Sequence, residues 1–293
     1  MRGTGRLDDG GRAARHHLRR WSIVATITHI PDPDDPRIDD FRDLTNADRR
    51  PDRPGGRGLV IAEGVVVVRR LLDSRYPVRS LLGVSRRLAE LADDLATIDV
   101  PAYQTDADTM AAAVGFHLNR GVLAVADRAP VPDAATLARC AQVLAVLEGV
   151  GDHENLGALF RNAAALGVDG VLLGPRCSDP LYRRSVRVSM GHVLRVPFAP
   201  LPGDWPGCLD LLRACGLRVV ALTPMPEARP IAAAGLAGRR VALLLGAEGP
   251  GLSAAALAAA DVRVRIPMAG GVDSLNVATA AAVAFHAVAP AVP

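Results

Sequence analysis

Between residues 143 and 268, short runs made almost wholly of Val, Leu, Ile and Ala recur at 143–149, 170–174, 193–198, 218–224, 240–249 and 262–268, each followed by a helical pattern. A strand with one wet face alternates apolar and polar residues, so strands that are apolar throughout are covered on both faces. Alternation of such strands with helices dictates an α/β fold with a parallel sheet between two helical layers. Ligands of these sheets bind beyond the carboxyl ends of the strands.

A weaker version of the same alternation runs through the first half from 58–64 onward, with strands read at 78–84 and 121–127. The Pro-rich, apolar-poor stretch 129–135 then reads as a linker. The expected organisation is a disordered basic tail over 1–20, a small α/β unit over 21–128, the linker, and a second unit over 136–293. A chain of 293 residues exceeds the usual size of one domain. Hydrophobic residues make up 49% of the chain and aromatic ones 3%, so the cores are built from Ala, Val and Leu, and platforms of stacking rings for RNA are excluded.

All 34 basic side chains are Arg. The absence of Lys excludes a Walker-type phosphate loop, a Schiff base and a lysine general base together. Arg176, Arg183, Arg184, Arg187 and Arg195 crowd into 176–195 with Asp179 as the single acid, which reads as an anion-facing patch. Cys140, Cys177, Cys208 and Cys215 have no C-x-x-C spacing, so neither a metal site nor a disulfide framework is expected. No run of 18 apolar residues occurs, and a cytoplasmic protein is expected.

Three glycine-bearing turns carry the chemistry. The first, "LEGVGDHENLGALFRNAAALGV", suggests a dinucleotide loop, but Glu154 stands where the third glycine belongs and the next strand ends in Gly174 without a ribose-binding acid. Asn155 instead suits a helix N-cap, Gly157 a close backbone approach and Gly167 a C-cap. Arg161 is then the one ionisable residue of its helix, on a face of alanines, as if placed for a ligand. The second turn, "LLLGAEGPGLS", frees backbone N–H groups around Glu248. In the third, "IPMAGGVDSLNVATAAAVA", Ser274 suits the N-cap and Asn276 falls inside the helix, where Asn is unfavourable unless something outside uses it.

Together with "DPLYRRSVRVSMGHVLRVPF", these three stretches resemble the motifs of the SpoU (TrmH-type) branch of the SPOUT RNA 2′-O-ribose methyltransferases over residues 141 to 289. The stretches "LVIAEG" and "NRGVLAVADR" are similar to that family's amino-terminal RNA-binding domain, which is related to certain ribosomal proteins. The resemblance implies a carboxyl-terminal trefoil knot, a homodimer, S-adenosylmethionine as cofactor and RNA as substrate, with rRNA favoured over tRNA. A non-catalytic RNA-binding or ribosome-assembly protein on the same fold is the alternative. The resemblance assigns cofactor contacts to Leu244, Gly246, Ile266, Met268 and Leu275, and catalytic or site-organising roles to Asn155, Arg161, Glu248, Ser274 and Asn276. His153 stands where the family has Pro, either as a loop residue or as a neutral imidazole near the ribose.

Overall fold

The computed structural model describes residues 25–44, 58–270 and 272–289, and the tail expected over 1–20 lies outside them. The first sheet contains β1 (Ile27–His29), β2 (Val60–Glu63), β3 (Val78–Val84), β4 (Ala102–Thr105) and β5 (Val122–Ala126) in the spatial order β1-β4-β3-β5-β2. β1, β4 and β3 are parallel, whereas β5 runs antiparallel to β3 and β2. Helices α1 (Val65–Leu72), α2 (Ser85–Glu90), α3 (Ala92–Leu95) and α4 (Ala107–Val114) connect its strands. Three-residue β1 is too short for a period-2 pattern to reveal it.

The second sheet holds β6 (Val143–Glu148), β7 (Gly170–Leu173), β8 (Phe198–Pro200), β9 (Arg218–Leu222), β10 (Arg229–Pro230), β11 (Val241–Gly246) and β12 (Val262–Arg265). Their order is β10-β12-β9-β11-β6-β7-β8 and every pairing is parallel, as the continuous apolar strands require. Its helices are α5 (Ala134–Cys140), α6 (His153–Ala165), α7 (Arg183–Val188), α8 (Asp210–Ala214), α9 (Ala254–Ala259) and α10 (Val277–Val288). Alternation along β11 divides the core: Leu243 and Leu245 pack with Phe160 of α6 and Phe285 of α10, while Ala242 and Leu244 pack with Leu212 of α8 and Ala256 of α9.

The strand expected over 193–198 is corrected. Met190 and Gly191 both take left-handed backbone, and His192–Leu194 form a 3-10 turn, so pairing starts only at Phe198. Val193 and Leu194 are buried by α6 and α7 rather than by neighbouring strands. α7 packs on β2 of the first sheet as well as on α6. One apolar cluster runs on from Val67 and Val68 of α1 into β6 and α6.

Candidate active site

A cleft enclosing about 720 Å³, its open mouth included, lies beyond the carboxyl ends of β9, β11 and β12. Its walls are apolar, from Leu222, Leu245, Ile266, Met268, Leu275, Val277 and Ala280, and Thr223, Glu248 and Ser274 place polar groups in it. The turn after β11 is tight. A Cβ on Gly246 would stand 2.2 Å from the carbonyl carbon of Gly251, and Gly249 and Gly251 hold φ of 87° and 68°, which glycine adopts without strain. Gly246, Ile266, Met268 and Leu275 line the cleft. Leu244 does not: its side chain is fully buried on the opposite face of the sheet, and its neighbour Leu245 takes the cleft position.

Two helix caps are exchanged relative to expectation. Asp152, not Asn155, caps α6, its carboxylate accepting from the backbone N–H groups of Glu154 (2.9 Å) and Asn155 (2.8 Å). Asn276, not Ser274, caps α10, its Oδ1 accepting from Ala278 (3.0 Å) and Thr279 (3.2 Å). Both asparagines gain a further role from this. With Oδ1 of Asn276 committed to two backbone donors, its Nδ2 must point outward, and it donates to Oδ1 of Asn155 at 2.6 Å. Asn155 then presents its own Nδ2 to Oε2 of Glu248 at 2.8 Å. A polarity set by the α10 cap thus runs through all three motifs to a carboxylate at the cleft. Ser274 is exposed at the cleft and caps nothing.

Because α6 starts at His153, Glu154 falls in its first turn and Arg161 is not the helix's one ionisable group. Seven residues on, Arg161 lies on the same face two turns further along. It is exposed and forms no ion pair or hydrogen bond with the described residues. The His153 ring packs on that of Tyr182 with centroids 4.3 Å apart, which accounts for it as a packed residue at the start of the helix. Gly157 makes the expected close approach: a Cβ there would lie 2.8 Å from the Ser185 carbonyl of α7.

The anion-facing patch is largely neutralised from within. Arg183, its side chain 21% exposed, pairs with Glu63 of β2 at 3.1 Å and lies over the Phe116 ring at 4.7 Å. Burial pushes its guanidinium down, against the raising effect of Glu63. Arg184 pairs with Glu154 at 2.5 Å, and Arg195 pairs with Asp73. Exposed Arg176 stands 4.0 Å from Glu148. Of the five, Arg187 has no ion-pair partner among the described residues.

Glu148 was not singled out in the sequence. It is 2% exposed at the end of β6, accepting from the Trp205 indole N–H (2.8 Å) and the Ser253 backbone N–H (2.9 Å). It thereby anchors the far end of the Gly246–Ser253 turn that carries Glu248. The signal for it was a lone acid closing an otherwise apolar strand.

A model of the SpoU rRNA Methylase family matches residues 142–286. An uncharacterized tRNA/rRNA methyltransferase of Mycobacterium tuberculosis is 60% identical over 278 residues, 94% of each chain. The 23S rRNA (guanosine(2553)-2′-O)-methyltransferase RlmP of Bacillus subtilis is 29% identical, over 77% of this chain and 86% of that one. Among solved structures, the SpoU methyltransferase AviRb of Streptomyces viridochromogenes in complex with the cofactor AdoMet is similar with a TM-score of 0.66, at 26% identity over 78% of this chain and 89% of that one.

Proposed function

This chain belongs to the SpoU rRNA methylase family, and from that premise we propose that it transfers the methyl group of S-adenosylmethionine to a ribose 2′-hydroxyl of RNA, rRNA in preference to tRNA. The observation that carries the reading is the Asn276–Asn155–Glu248 chain of hydrogen bonds beside the cleft. The ribose specificity rests on the similarity to RlmP, named as a 2′-O-methyltransferase, and the preference for rRNA on the same relative and on the additional amino-terminal sheet.

The cleft fits the cofactor chemically. Its apolar walls suit an adenine ring, the irregular backbone between β12 and α10 supplies main-chain donors and acceptors outside any ladder, and Glu248 offers an anion to a cationic ligand. Gly246, Ile266, Met268 and Leu275 would hold it, with Leu245 in the position first given to Leu244. Bound there, S-adenosylmethionine supplies an electrophilic methyl on a sulfonium centre. The protein's task is to present the ribose oxygen in line, and alignment of this kind is worth about 7–11 kcal/mol.

Arg161 is assigned to the RNA phosphate beside the target ribose and to stabilising charge on the 2′-oxygen; a guanidinium remains protonated and does not serve as the base. Ser274 and Asn276 orient the ribose, while Asn155 and Glu248 keep the Asn276 amide turned the right way. Residues 136–293 are assigned to methyl transfer and 21–128 to RNA binding. The turn 246–251 and the segment leading into α10 are read as passes of a trefoil knot. A homodimer would cover the outer face of α10, where Val283 is 41% exposed, together with exposed Leu275. The RNA substrate implies a cytoplasmic location, and no described helix is long and apolar enough to cross a membrane.

The test is calorimetric titration with S-adenosylmethionine alongside single-turnover methylation by Arg161→Ala. Cofactor binding within a few-fold of wild type with turnover abolished is expected. A wild-type protein that fails to bind the cofactor would leave the non-catalytic RNA-binding reading in its place.

A further inference from the structure

Two arginines outside that patch, Arg70 and Arg161, act on the turn that follows α7. Arg70 belongs to α1, on the first sheet, and reaches to the second: its guanidinium donates to the Met190 carbonyl. Its Cβ and Cδ lie 3.3 Å from where a Cβ on Gly191 would stand, so the glycine permits this approach. Met190 and Gly191, with φ of 55° and 82°, form the left-handed exit from α7. The 3-10 turn His192–Leu194 that follows packs on α1 and on α6 at once. Arg70 of α1 and Arg161 of α6 therefore approach the same turn from two different units.

The charges acting on Arg70 are those of Arg195 and Arg161, and Arg70, Arg195 and Arg161 all act on His192. The acids bordering the hollow beside Arg70 are already engaged, Asp73 with Arg195 and Asp94 with Arg69. Neither Arg70 nor Arg161 has an ion-pair partner among the described residues. Like charges acting on one another without a counterion oppose folding, unless the arrangement is made for an anion that arrives with a ligand. One N–H of Arg70 is spent on Met190, which fixes the fork and leaves its other donors to face that anion.

We infer that Arg70 and Arg161 together hold one phosphodiester of the RNA strand, so that the amino-terminal unit and α6 of the second unit grip the substrate jointly. Arg70 is a positioning residue in this scheme, and the inference rests on the RNA-methyltransferase reading above. Sharing one phosphate has a measurable signature. Each phosphate contact to single-stranded RNA contributes about 0.7 to the slope of log K against log salt.

The experiment is anisotropy titration of a fluorescein-labelled, mixed-sequence single-stranded RNA of roughly 20 nucleotides, across a range of KCl, with wild type, Arg70→Gln, Arg70→Lys, Arg161→Gln and the double Gln variant. Each Gln variant is expected to flatten the slope by about 0.7, and the double variant by the same 0.7, because one phosphate is lost in every case. Arg70→Lys, which keeps the charge and a donor for Met190, is expected to retain the wild-type slope, and cofactor affinity is expected to stay unchanged throughout. An unchanged slope in Arg70→Gln, or additive losses in the double variant, would overturn the inference. So would Arg70-dependent binding of inorganic phosphate with RNA binding unaffected. Loss of cofactor and RNA binding by the wild type would instead overturn the reading of function on which the inference depends.

Discussion

Asn276 donates to Asn155 across 2.6 Å while its own oxygen caps α10, so one amide both ends a helix and orients a neighbour 121 positions away. Asn155 is held between that donor and the Glu248 carboxylate, with no freedom to turn over.

Asn276→Asp separates the two roles. Aspartate is as good an N-cap as asparagine, and its charge suits a helix N-terminus, so unfolding free energy should stay within about 1 kcal/mol of wild type. The relay cannot survive, because Asn155 would face a carboxylate on each side with a single amide NH₂ to offer. Loss of a hydrogen bond to a charged group, about 1.5–3 kcal/mol, predicts a fall in turnover of roughly 10- to 100-fold. Parallel denaturant melts and single-turnover assays check both halves; equal losses of stability and turnover would mean that the amide is only a cap.

Arg183 should matter for stability rather than for RNA. Removing it leaves Glu63, whose side chain is 7% exposed, with Arg120 at 3.8 Å as its compensating cation among the described residues. Deleting one partner of a buried pair costs about 3 kcal/mol or more, and Arg183→Ala is expected to show that in urea unfolding. Its salt slope for RNA should match wild type, in contrast to Arg187→Gln, which should lose about 0.7. A flattened slope in Arg183→Gln would contradict the assignment.

Burial, and then the charges of Arg70, Arg195 and Arg161, hold the His192 imidazole below its ordinary value. The folded protein then binds fewer protons than the unfolded chain as the pH falls, so this group's contribution is intact above the unfolded value, about 6.5, and is lost progressively below it. His192→Gln should remove that acid-side loss. RNA seated on the arginines should raise the His192 value, as followed by the imidazole NMR shifts; a downward move would place the phosphate elsewhere.

How much of this was legible depended on which forces were local. The second sheet could be read because two-sided burial writes itself as unbroken apolar runs, as in β6 and β11. The run 193–198 misled for the same reason: Val193 and Leu194 are buried by helices, and hydrophobicity does not say what does the covering. Leu244 and Leu245 differ only in phase, which is set by the layer that packs on each face.

Asp152 and Asn155 are both good caps by type, and the choice between them follows from where β6 delivers the chain. The ion pairs of the arginine patch were not legible because charge was counted within one run, whereas Glu63 and Asp73, which pair with Arg183 and Arg195, come from 120 and 122 positions away. The three motifs themselves were visible because each compresses its chemistry into a single strand-to-helix turn.

The most direct measurement uses S-adenosylmethionine labelled in the methyl group and rRNA from cells lacking the gene, followed by alkaline hydrolysis. A 2′-O-methyl blocks cleavage of the adjacent phosphodiester, so the account predicts label in alkali-resistant dinucleotides, lost in Asn155→Ala and Arg161→Ala. Label recovered in mononucleotides would place the methyl on a base and contradict it.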